Sequence, residues 1–367
     1  MPVSDRLGIP QNSDLRFRIM FTRLFRVLVL IGAAVALLVL AWPQAFGLHN
    51  TWVVAHLVSF RALAVIGAVT GIVLLGLLWF IRPVRRTLGM AMVLLVVFAA
   101  VNVGILASRG ITAGTASVGT AADSAVDSTT VTVLSWNTLG DAPGAAAIAD
   151  LAVARNADVV TLPETTEETG VLIAEAMRDA GRPMWVHTLA FDLVSKARST
   201  TLLISPDLGD YVVSNAAGSG PPGNTNVLPT VVAQPADESG PTIIAVHAVA
   251  PVEYEMSNWR SDLDWLATQC QADNVIMAGD FNSTLDHMAG RATGGAGSVL
   301  GNCADAALSA GAASVGTWPT SIPALLGSPI DHVLATPNWQ VTALQVIGSL
   351  DDAGSDHRPV VATLTAR

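Results

Sequence analysis

Polar side chains that can bind metals or move protons recur in the C-terminal part of the sequence, each beside a short apolar run. Asn137 follows VTVLSW, Glu164 follows DVVTLP and His247 ends TIIAVH. The remaining members of the set are Asp280 and Asn282 in GDFN, Asp331 in IDHVLA, and Asp356 and His357 in GSDHRP. Short apolar runs predict buried strands, and sheet proteins commonly assemble their sites where such strands end. We therefore expect these side chains to share one site.

A single residue of this kind has an ordinary structural explanation, because Asn and Asp at a strand end usually make a turn or cap a helix. The combination of four carboxylates, two amides and two imidazoles indicates chemistry instead. Carboxylate and amide oxygens suit a hard cation such as Mg²⁺, and imidazoles shuttle protons or stabilise charge on a phosphate. A phosphodiester resists attack because it is anionic. A neutralising cation, an Asp for the water and a His for the leaving oxygen form a sufficient set to hydrolyse it.

Taken in order, the motifs resemble those of the endonuclease/exonuclease/phosphatase superfamily. This superfamily includes pancreatic-type deoxyribonucleases, abasic-site endonucleases, neutral sphingomyelinases and inositol-polyphosphate 5-phosphatases. GDFN followed later by SDHRP is a specific signature, and SWN and LPE stand at the corresponding earlier positions. The resemblance covers residues 131–366. It implies a four-layered α/β sandwich with the active site at one edge of two central sheets.

The resemblance also implies a metal site. Glu164 looks like the principal metal ligand, with Asn137 close by as a ligand or orienting amide, and Asp356 resembles a metal ligand or a partner of the histidine beside it. The implied cofactor is Mg²⁺, with Mn²⁺ or Ca²⁺ as alternatives. One departure is that the family commonly has Gln before the metal-binding Glu, whereas this chain has Pro163. That change alters the surrounding hydrogen bonds without removing the ligand.

Catalytic roles for the other five residues follow from the same resemblance. Asp280 resembles the residue that positions or deprotonates the attacking water, and Asn282 resembles the amide that holds a phosphate oxygen. His357 is similar to the histidine that contacts the scissile phosphate. Asp331 matches the Asp that supports a second histidine, and His247 looks like that histidine, the general acid of the deoxyribonuclease and sphingomyelinase branches. The assignment of acid and base among these residues stays open.

The segments around the motifs alternate between short strands and a few helices. We predict strands at 131–135, 158–162, 200–204, 211–213, 227–232, 242–247, 274–278, 330–335 and 360–364, and helices at 145–155, 166–180 and 258–269. The Gly/Ala-rich stretch 288–302 is typical of a surface loop. Many short strands with few helices indicate an α/β (α+β) domain with two sheets and helices outside them.

The first 108 residues carry most of the hydrophobicity of a chain whose mean hydropathy is +0.51. No Asp, Glu, Lys or Arg occurs in 27–60, 62–81 or 88–108. Each stretch can supply the ~20 apolar residues that cross a bilayer, so we predict three transmembrane helices near 24–42, 60–80 and 88–107. A signal peptide would account for the first stretch only.

Arginines predict the orientation of these helices. Four precede the first predicted span and Arg26 lies at its start, and three (Arg82, Arg85 and Arg86) lie between the second and third. The loop around 43–59 has neither Lys nor Arg. By the positive-inside rule, residues 1–23 form a cytoplasmic segment. Three crossings within 24–108 then place the remainder outside the cytoplasm, in a multi-pass protein of the cell membrane. The small, polar stretch 109–130 is typical of a flexible linker, and residues 131–367 form the predicted catalytic domain.

The charge and the cysteines constrain what the external part binds. After residue 108 the chain has 27 acidic and 10 basic side chains, with Lys196 as its only lysine. A surface this acidic repels polyanions, which argues against tight non-specific binding of nucleic acid without excluding nucleic acid as a substrate. Cys270 and Cys303 both fall in this part, and either a disulfide or two buried thiols fits them.

The sequence thus predicts a membrane-anchored, metal-dependent phosphoesterase, with a nuclease-like phosphodiester hydrolase as the leading form. The substrate is a nucleic acid, a phospholipid head group (as for a phosphodiesterase or phosphatase of sphingomyelinase type) or a small phosphoester. We predict no protein partner. The alternative from another class is a non-catalytic, membrane-anchored binding module, which loss of motif residues would mark.

Two weaker candidates remain. Trp318, in the loop GTWPTS before Asp331, is the tryptophan most worth testing for substrate contact, although core packing is the default for tryptophan. Asp286 and His287 in NSTLDH could bind a metal, but a helix start or a surface loop accounts for them more simply.

Overall fold

The computed structural model describes residues 11–112, 130–214, 220–237 and 239–367. Within these residues, four α-helices precede an α/β part of thirteen strands and five α-helices. The first four helices are α1 (Gln11–Ala41), α2 (Trp52–Ser59), α3 (Arg61–Leu77) and α4 (Arg85–Arg109).

Six strands form the first sheet: β1 (Thr130–Ser135), β2 (Val159–Pro163), β3 (Trp185–Ala190), β4 (Ser199–Ile204), β12 (Trp339–Val346) and β13 (Val360–Ala366). Their order is β12-β13-β1-β2-β4-β3. Strands β1 and β2 are parallel and are joined by helix α5 (Gly144–Ala154). The carboxyl ends of β1 and β2 therefore lie at the same edge of the sheet. Helix α6 (Glu167–Asp179) follows β2.

The second sheet has seven strands: β5 (Tyr211–Val213), β6 (Val231–Pro235), β7 (Thr242–His247), β8 (Val275–Asp280), β9 (Ser298–Leu300), β10 (Cys303–Asp305) and β11 (Asp331–Ala335). Their order is β5-β6-β7-β8-β11-β10-β9. The parallel pair here is β7 and β8, connected by helix α7 (Met256–Gln269). Two short helices, α8 (Leu285–Met288) and α9 (Ala306–Ser309), lie in the later loops.

Alternation of side chains along the strands builds four layers. On β7, Ile243 and Ala245 enter the core between the two sheets, whereas Ile244 and Val246 pack on the opposite face with Trp259 of α7. Strand β1 divides its side chains in the same way, and its outer face packs with α5 and α6. Successive side chains on a strand point to opposite faces, so both sheets are covered on both sides. The expected α/β sandwich with two central sheets is confirmed.

The N-terminal helices agree with the predicted spans in part. Two stretches are long and apolar enough to cross a bilayer, Met20–Ala41 and Arg82–Arg109, and the third candidate is the pair α2–α3, which is bent by 84°. Helix α3 alone has 17 residues, which is about 25 Å at 1.5 Å per residue against a hydrocarbon core of ~30 Å. The third span therefore stays a prediction.

The N-terminal helices also touch the α/β part. Ala55 of α2 is fully buried in the core that covers the second sheet. Of the predicted linker 109–130, only residues 109–112 and 130 are described. Arg109 is the last residue of α4, and Thr112 donates from its backbone N–H to the Gly311 carbonyl at 3.3 Å. The first residues of the predicted linker thus pack on the α/β part, and residues 113–129 lie outside the described residues.

The strands that sequence reasoning missed are at the sheet margins. Strands β3 and β12 are the two edges of the first sheet, and β9 and β10 end one side of the second. The predicted strand at 227–232 overlaps β6 by only two residues, because that strand runs from Val231 to Pro235. Part of the predicted loop 288–302 is β9. The two cysteines form a disulfide, with their Cα atoms 5.7 Å apart.

Candidate active site

The eight predicted site residues meet where the carboxyl ends of β1, β2, β7 and β8 approach the start of β11. The sheet register itself places three of them side by side. His247 is opposite Asp280 in the parallel pair β7–β8, and Asp280 is opposite Asp331 in the antiparallel pair β8–β11. The other members come from the loops that follow β1, β2 and β8 and from the loop that precedes β13.

Asn137 joins the two halves of the site. Its Nδ2 donates to Glu164 Oε1 at 3.2 Å and to Asp280 Oδ2 at 3.0 Å, while its Oδ1 accepts from the Leu139 backbone N–H at 3.0 Å. Asn137 is 1% exposed. One amide thus links a carboxylate of the first sheet to a carboxylate of the second, and its orientation is fixed from both sides.

Two site residues have a left-handed backbone that side chains rarely adopt. Glu164 has φ +60° and Asn282 has φ +46°. Asn tolerates this region, but Glu seldom occupies it, and such residues cost on the order of 1–3 kcal/mol and cluster at functional sites. Thr138 Oγ1 donates to the Glu164 carbonyl at 2.9 Å, which helps to hold the turn. The strained turn aims the Glu164 side chain into the site.

The GDFN segment is built around Gly279. This residue has φ +150°, and a Cβ here would overlap the carbonyl oxygen of Val246 on the neighbouring strand. Asp280 Oδ1 then accepts from the Asn282 backbone N–H at 2.8 Å. The Asn282 Nδ2 donates to the Ala248 carbonyl at 2.9 Å and to Asp280 Oδ2 at 3.3 Å.

Burial raises the pKa of Asp280, against the lowering influence of His357. This carboxylate is 1% exposed, and its charged form loses more solvation than its neighbours restore. A carboxylate of raised pKa is a better proton acceptor at neutral pH than an ordinary aspartate. Asp280 therefore has the environment of a general base.

His357 forms its hydrogen bond with Asp331, and the expected pairing of Asp331 with His247 was wrong. His357 Nδ1 lies 2.8 Å from Asp331 Oδ2, while its Nε2 lies 3.8 Å from Asp280 Oδ2 and 3.9 Å from Asp356 Oδ1. Although burial alone would lower the pKa of His357, the carboxylates of Asp331 and Asp280 raise it. A cationic imidazolium therefore faces the centre of the site.

His247 has the opposite electrostatic environment. Burial, with a smaller contribution from His357, lowers its pKa to about 3. Its Nε2 lies 3.9 Å from Glu164 Oε1, and its Nδ1 has no hydrogen-bond partner among the described residues. The imidazole is neutral at neutral pH and can donate one N–H to a bound phosphate oxygen.

Asp356 is held by a tryptophan. The Trp318 Nε1 donates to Asp356 Oδ2 at 2.9 Å, whereas Asp356 Oδ1 is buried and has no hydrogen-bond partner among the described residues. Trp318, the tryptophan expected to contact substrate, therefore lies at the site and orients the Asp356 carboxylate.

The carboxylates fit a divalent cation. Glu164, Asp280, Asp331 and Asp356 converge here, and among the described residues their ion-pair partners are histidines alone. Ligand atoms of Asp280, Asp331 and His357 lie within 4.8 Å of one another. Burial raises the pKa of Glu164 as well. Buried, unpaired carboxylate oxygens are costly, and a hard cation that accepts oxygen ligands would neutralise them.

Sequence reasoning missed the residues that support the site from behind. Arg358 is 1% exposed and donates to the carbonyls of Gly316, Pro319, Thr320 and Ile322 and to Asp351. His332 lies between Asp305 and the Ser283 carbonyl, at 2.7 and 2.8 Å. Both residues adjoin predicted site residues, in SDHRP and IDHVLA, and that adjacency was the available signal.

Solved structures resemble the chain at low identity. Endonuclease/exonuclease/phosphatase proteins from Bacteroides vulgatus and Beutenbergia cavernae are 15% and 20% identical to it. The first alignment covers 65% of this chain and 100% of the other with a TM-score of 0.48, and the second covers 65% and 72% with a TM-score of 0.45. The mannosyl-6-phosphatase of Bacteroides thetaiotaomicron VPI-5482 is 16% identical over 64% of this chain and 99% of its own, with a TM-score of 0.44. No curated protein matches the chain.

The sequence pattern of a known family covers the same residues as the site. The model of the endonuclease/exonuclease/phosphatase family matches residues 134–357, which is more than half of the chain and includes all eight site residues. The chain therefore belongs to the endonuclease/exonuclease/phosphatase family and is a hydrolase that acts on phosphate ester bonds.

Proposed function

We propose that the chain is a divalent-metal-dependent phosphodiester hydrolase that is anchored in a membrane and works outside the cytoplasm. The observation that carries the chemistry is the position of His357. Its Nε2 lies within 4 Å of carboxylate oxygens of both Asp280 and Asp356, while Asp331 holds its other nitrogen. The proton acceptor Asp280, the His357 imidazolium and the carboxylates that could bind a metal thus surround one space.

Each residue has a role that its environment supports. Glu164 and Asp356 would supply oxygen atoms for a metal, which we take as Mg²⁺ because the donors are hard oxygens. Asn137 orients the Glu164 carboxylate through its Nδ2. When bound, the metal would neutralise charge on the phosphate. Asp280 accepts a proton from the attacking water, since burial raises its pKa.

The remaining groups bind the phosphate. The His357 imidazolium offsets negative charge on the phosphate oxygens, and Asp331 fixes its ring. The neutral His247 donates a hydrogen bond from an N–H. The Asn282 Nδ2 gives up its longer hydrogen bond, 3.3 Å to Asp280 Oδ2, and donates to a phosphate oxygen instead.

A phospholipid head group is the second candidate substrate. The rings of Trp318 and Phe60 have their centroids 5.9 Å apart, and Phe60 directly precedes the apolar helix α3. One wall of the site thus adjoins a helix that we propose to lie in the bilayer. The acidic surface of the α/β part also disfavours a long polyanion.

The substrate test uses full-length protein in nanodiscs of phosphatidylcholine, with Mg²⁺ or with EDTA. Substrates are plasmid DNA, RNA, sphingomyelin vesicles and bis(4-nitrophenyl) phosphate, and Asp280→Asn serves as the inactive variant. Metal-dependent turnover that Asp280→Asn loses supports the proposal, and the preferred substrate decides between the two candidates. Folded, metal-loaded wild type that cleaves none of these phosphodiesters would refute the phosphodiester assignment.

The helix ends support the proposed topology. Arg61 at the start of α3 donates to the Ala41 carbonyl at the end of α1 (3.3 Å), and both lie beside the α/β part. Near the other end of the apolar stretch Met20–Ala41 of α1, Arg26 donates to the Pro83 carbonyl at 2.8 Å. Helices α1, α3 and α4 therefore run side by side with alternating direction, as three spans require.

The single lysine of the chain offers a direct test of this topology. Lys196 is 57% exposed at its side chain. A membrane-impermeant amine reagent applied to intact cells should label wild type and should not label Lys196→Arg. Equal absence of label in both proteins, with labelling restored after lysis, would place the α/β part in the cytoplasm.

A further inference from the structure

The loop that carries Asn282 continues directly into a contact with the N-terminal helices. Four residues after Asn282, Asp286 is 2% exposed and accepts two hydrogen bonds from Arg61, at 2.8 and 2.7 Å. It accepts two more from Arg109, both at 2.8 Å. We call this group of Asp286, Arg61 and Arg109 the anchor clamp. It joins the start of α3 and the end of α4 to the Asn282 loop.

The next residue of the loop strengthens this contact. His287 is fully buried, and its Nε2 lies 3.1 Å from the Ala55 carbonyl of α2. Its ring packs edge-on against Trp259 with centroids 5.2 Å apart. The Trp259 Nε1 in turn donates to the Asn282 carbonyl at 3.1 Å. The side chains of His287 and Trp259 therefore connect α2 to the backbone of Asn282.

A second site loop, residues 311–322, is held by the end of α4. Ser314 donates from its Oγ to the Leu106 carbonyl and from its N–H to the Gly110 carbonyl, both at 2.9 Å. Ala313 donates from its N–H to the Arg109 carbonyl at 3.0 Å. Farther along this loop, the Trp318 ring packs against Phe60. Both loops that flank the site therefore pack on the N-terminal helices α1–α4, which we call the anchor.

We propose that the anchor is a positioning element of the active site, in which Phe60 fixes the Trp318 ring and Trp318 fixes Asp356. The anchor clamp holds the α2–α3 junction in place, so that Phe60 meets the ring. This inference rests on the proposed function, because it assigns Asp356 to the metal site.

The contacts of Asp356 explain why its orientation depends on the tryptophan. Its side chain is 41% exposed, and the Trp318 N–H is the only hydrogen-bond donor to its carboxylate among the described residues. A partly exposed carboxylate with one donor loses its fixed orientation once that donor moves. The Phe60 contact limits the ring rotation that would move the donor. Substituting a residue that orients a metal ligand typically weakens metal binding by roughly 10–100-fold.

The test is a metal titration on full-length protein in phosphatidylcholine nanodiscs. Isothermal titration calorimetry with Mn²⁺ would compare wild type with Phe60→Ala, Phe60→Leu and Trp318→Phe. The matched control is Phe46→Ala, since Phe46 belongs to the same segment between α1 and α3 and is 47% exposed. Phe60→Tyr, which keeps the ring, is the rescue variant. The second readout is hydrolysis of bis(4-nitrophenyl) phosphate, a soluble substrate whose binding needs no bilayer.

We expect Phe60→Ala and Trp318→Phe to weaken Mn²⁺ binding by about tenfold or more, with KM for the soluble substrate unchanged. Phe60→Tyr and Phe46→Ala should match wild type. Phe60→Leu keeps the bulk of the side chain and decides the matter if Phe60→Ala does not fold. Wild-type affinity in folded Phe60→Ala would overturn the proposal, as would wild-type affinity in Phe60→Leu where Phe60→Ala does not fold. Folded wild type that binds Mn²⁺ without hydrolysing any phosphodiester would refute the proposed function alone, since the affinities still decide the positioning role.

Discussion

Replacing Asp286 with asparagine removes the charge that holds the N-terminal helices against the α/β part. Asp286 accepts five hydrogen bonds, two from Arg61, two from Arg109 and one from Gln44 at 2.7 Å. The asparagine side chain would be nearly the same size, but its NH₂ group would face guanidinium donors. Arg61, 4% exposed at its side chain, would then be buried without an anionic partner.

The expected loss is large because the charges are buried. Removing one partner of a buried ion pair costs about 3–5 kcal/mol. Arg109 is 18% exposed and keeps some solvent, so we expect the lower end, about 3 kcal/mol. This corresponds to roughly 100-fold in the equilibrium between the docked and undocked states, at ~1.4 kcal/mol per factor of ten.

Hydrogen exchange of the α2 amides measures this equilibrium. Helix α2 has 8 residues, and isolated helices shorter than ~12 residues are marginal in water. Its protection therefore depends on docking to the α/β part. In full-length protein in nanodiscs, Asp286→Asn should raise α2 exchange by about 100-fold.

The matched control for this experiment is Asp264→Asn. Asp264 is 66% exposed and pairs with Arg291 at 2.7 Å, and a surface pair of this kind contributes about 0–1 kcal/mol. The control should exchange like wild type. If Asp286→Asn is as well protected in α2 as Asp264→Asn, the anchor clamp does not stabilise docking and the reasoning is wrong.

The same ion pairs predict a pH dependence. Although burial alone would raise the pKa of Asp286, hydrogen bonds and charge from Arg61 and Arg109 hold it well below its usual range. A carboxylate with a depressed pKa stabilises the folded state above its unfolded pKa of about 3.9 and loses that contribution as the pH falls below it. The difference in α2 protection between wild type and Asp286→Asn should therefore stay constant from about pH 8 to about pH 5. A difference that disappears already at about pH 6 would contradict this assignment.

Two further substitutions test the frame of the site and its covalent support. Asn137→Ala removes the amide that links Glu164 to Asp280, so Mn²⁺ affinity should fall by about 10–100-fold, and wild-type affinity would contradict the linking role. Cys303→Ser opens the disulfide to Cys270, which closes a separation of 33 residues. The free energy of unfolding in urea should fall by about 3–4 kcal/mol, and a loss below about 1 kcal/mol would show that the disulfide adds little.

The sequence predicted the central strands and the membership of the site because both leave a local signal. Runs such as TIIAVH and NVIMA are buried on both faces, so nearly every residue is apolar. Strand β12 is partly exposed along most of its length, and an edge strand needs only one apolar face. Its composition therefore resembles that of a loop, which is why both edges of the first sheet were missed.

Long-range pairings left no such signal. Asp331 is 26 residues from His357, and nothing in either motif distinguishes this partner from His247. Asp286 is 225 residues from Arg61, and an Asp near the start of a short helix is ordinary. The helix start was correctly predicted, since Thr284 and His287 form a capping box, but the surface location was not. Burial of Asp286 depends on helices that the sequence separates from it.

The central claim, metal-dependent hydrolysis of a phosphodiester at this site, is tested most directly by turnover of bis(4-nitrophenyl) phosphate. Full-length wild type would be compared with Glu164→Gln and with Glu175→Gln, an exposed carboxylate on α6. We predict turnover in Mg²⁺ or Mn²⁺ that EDTA abolishes. Turnover should fall on the order of 100-fold or more in Glu164→Gln, whereas Glu175→Gln should turn over like wild type. Turnover that survives EDTA, or that Glu164→Gln retains in full, would contradict the account.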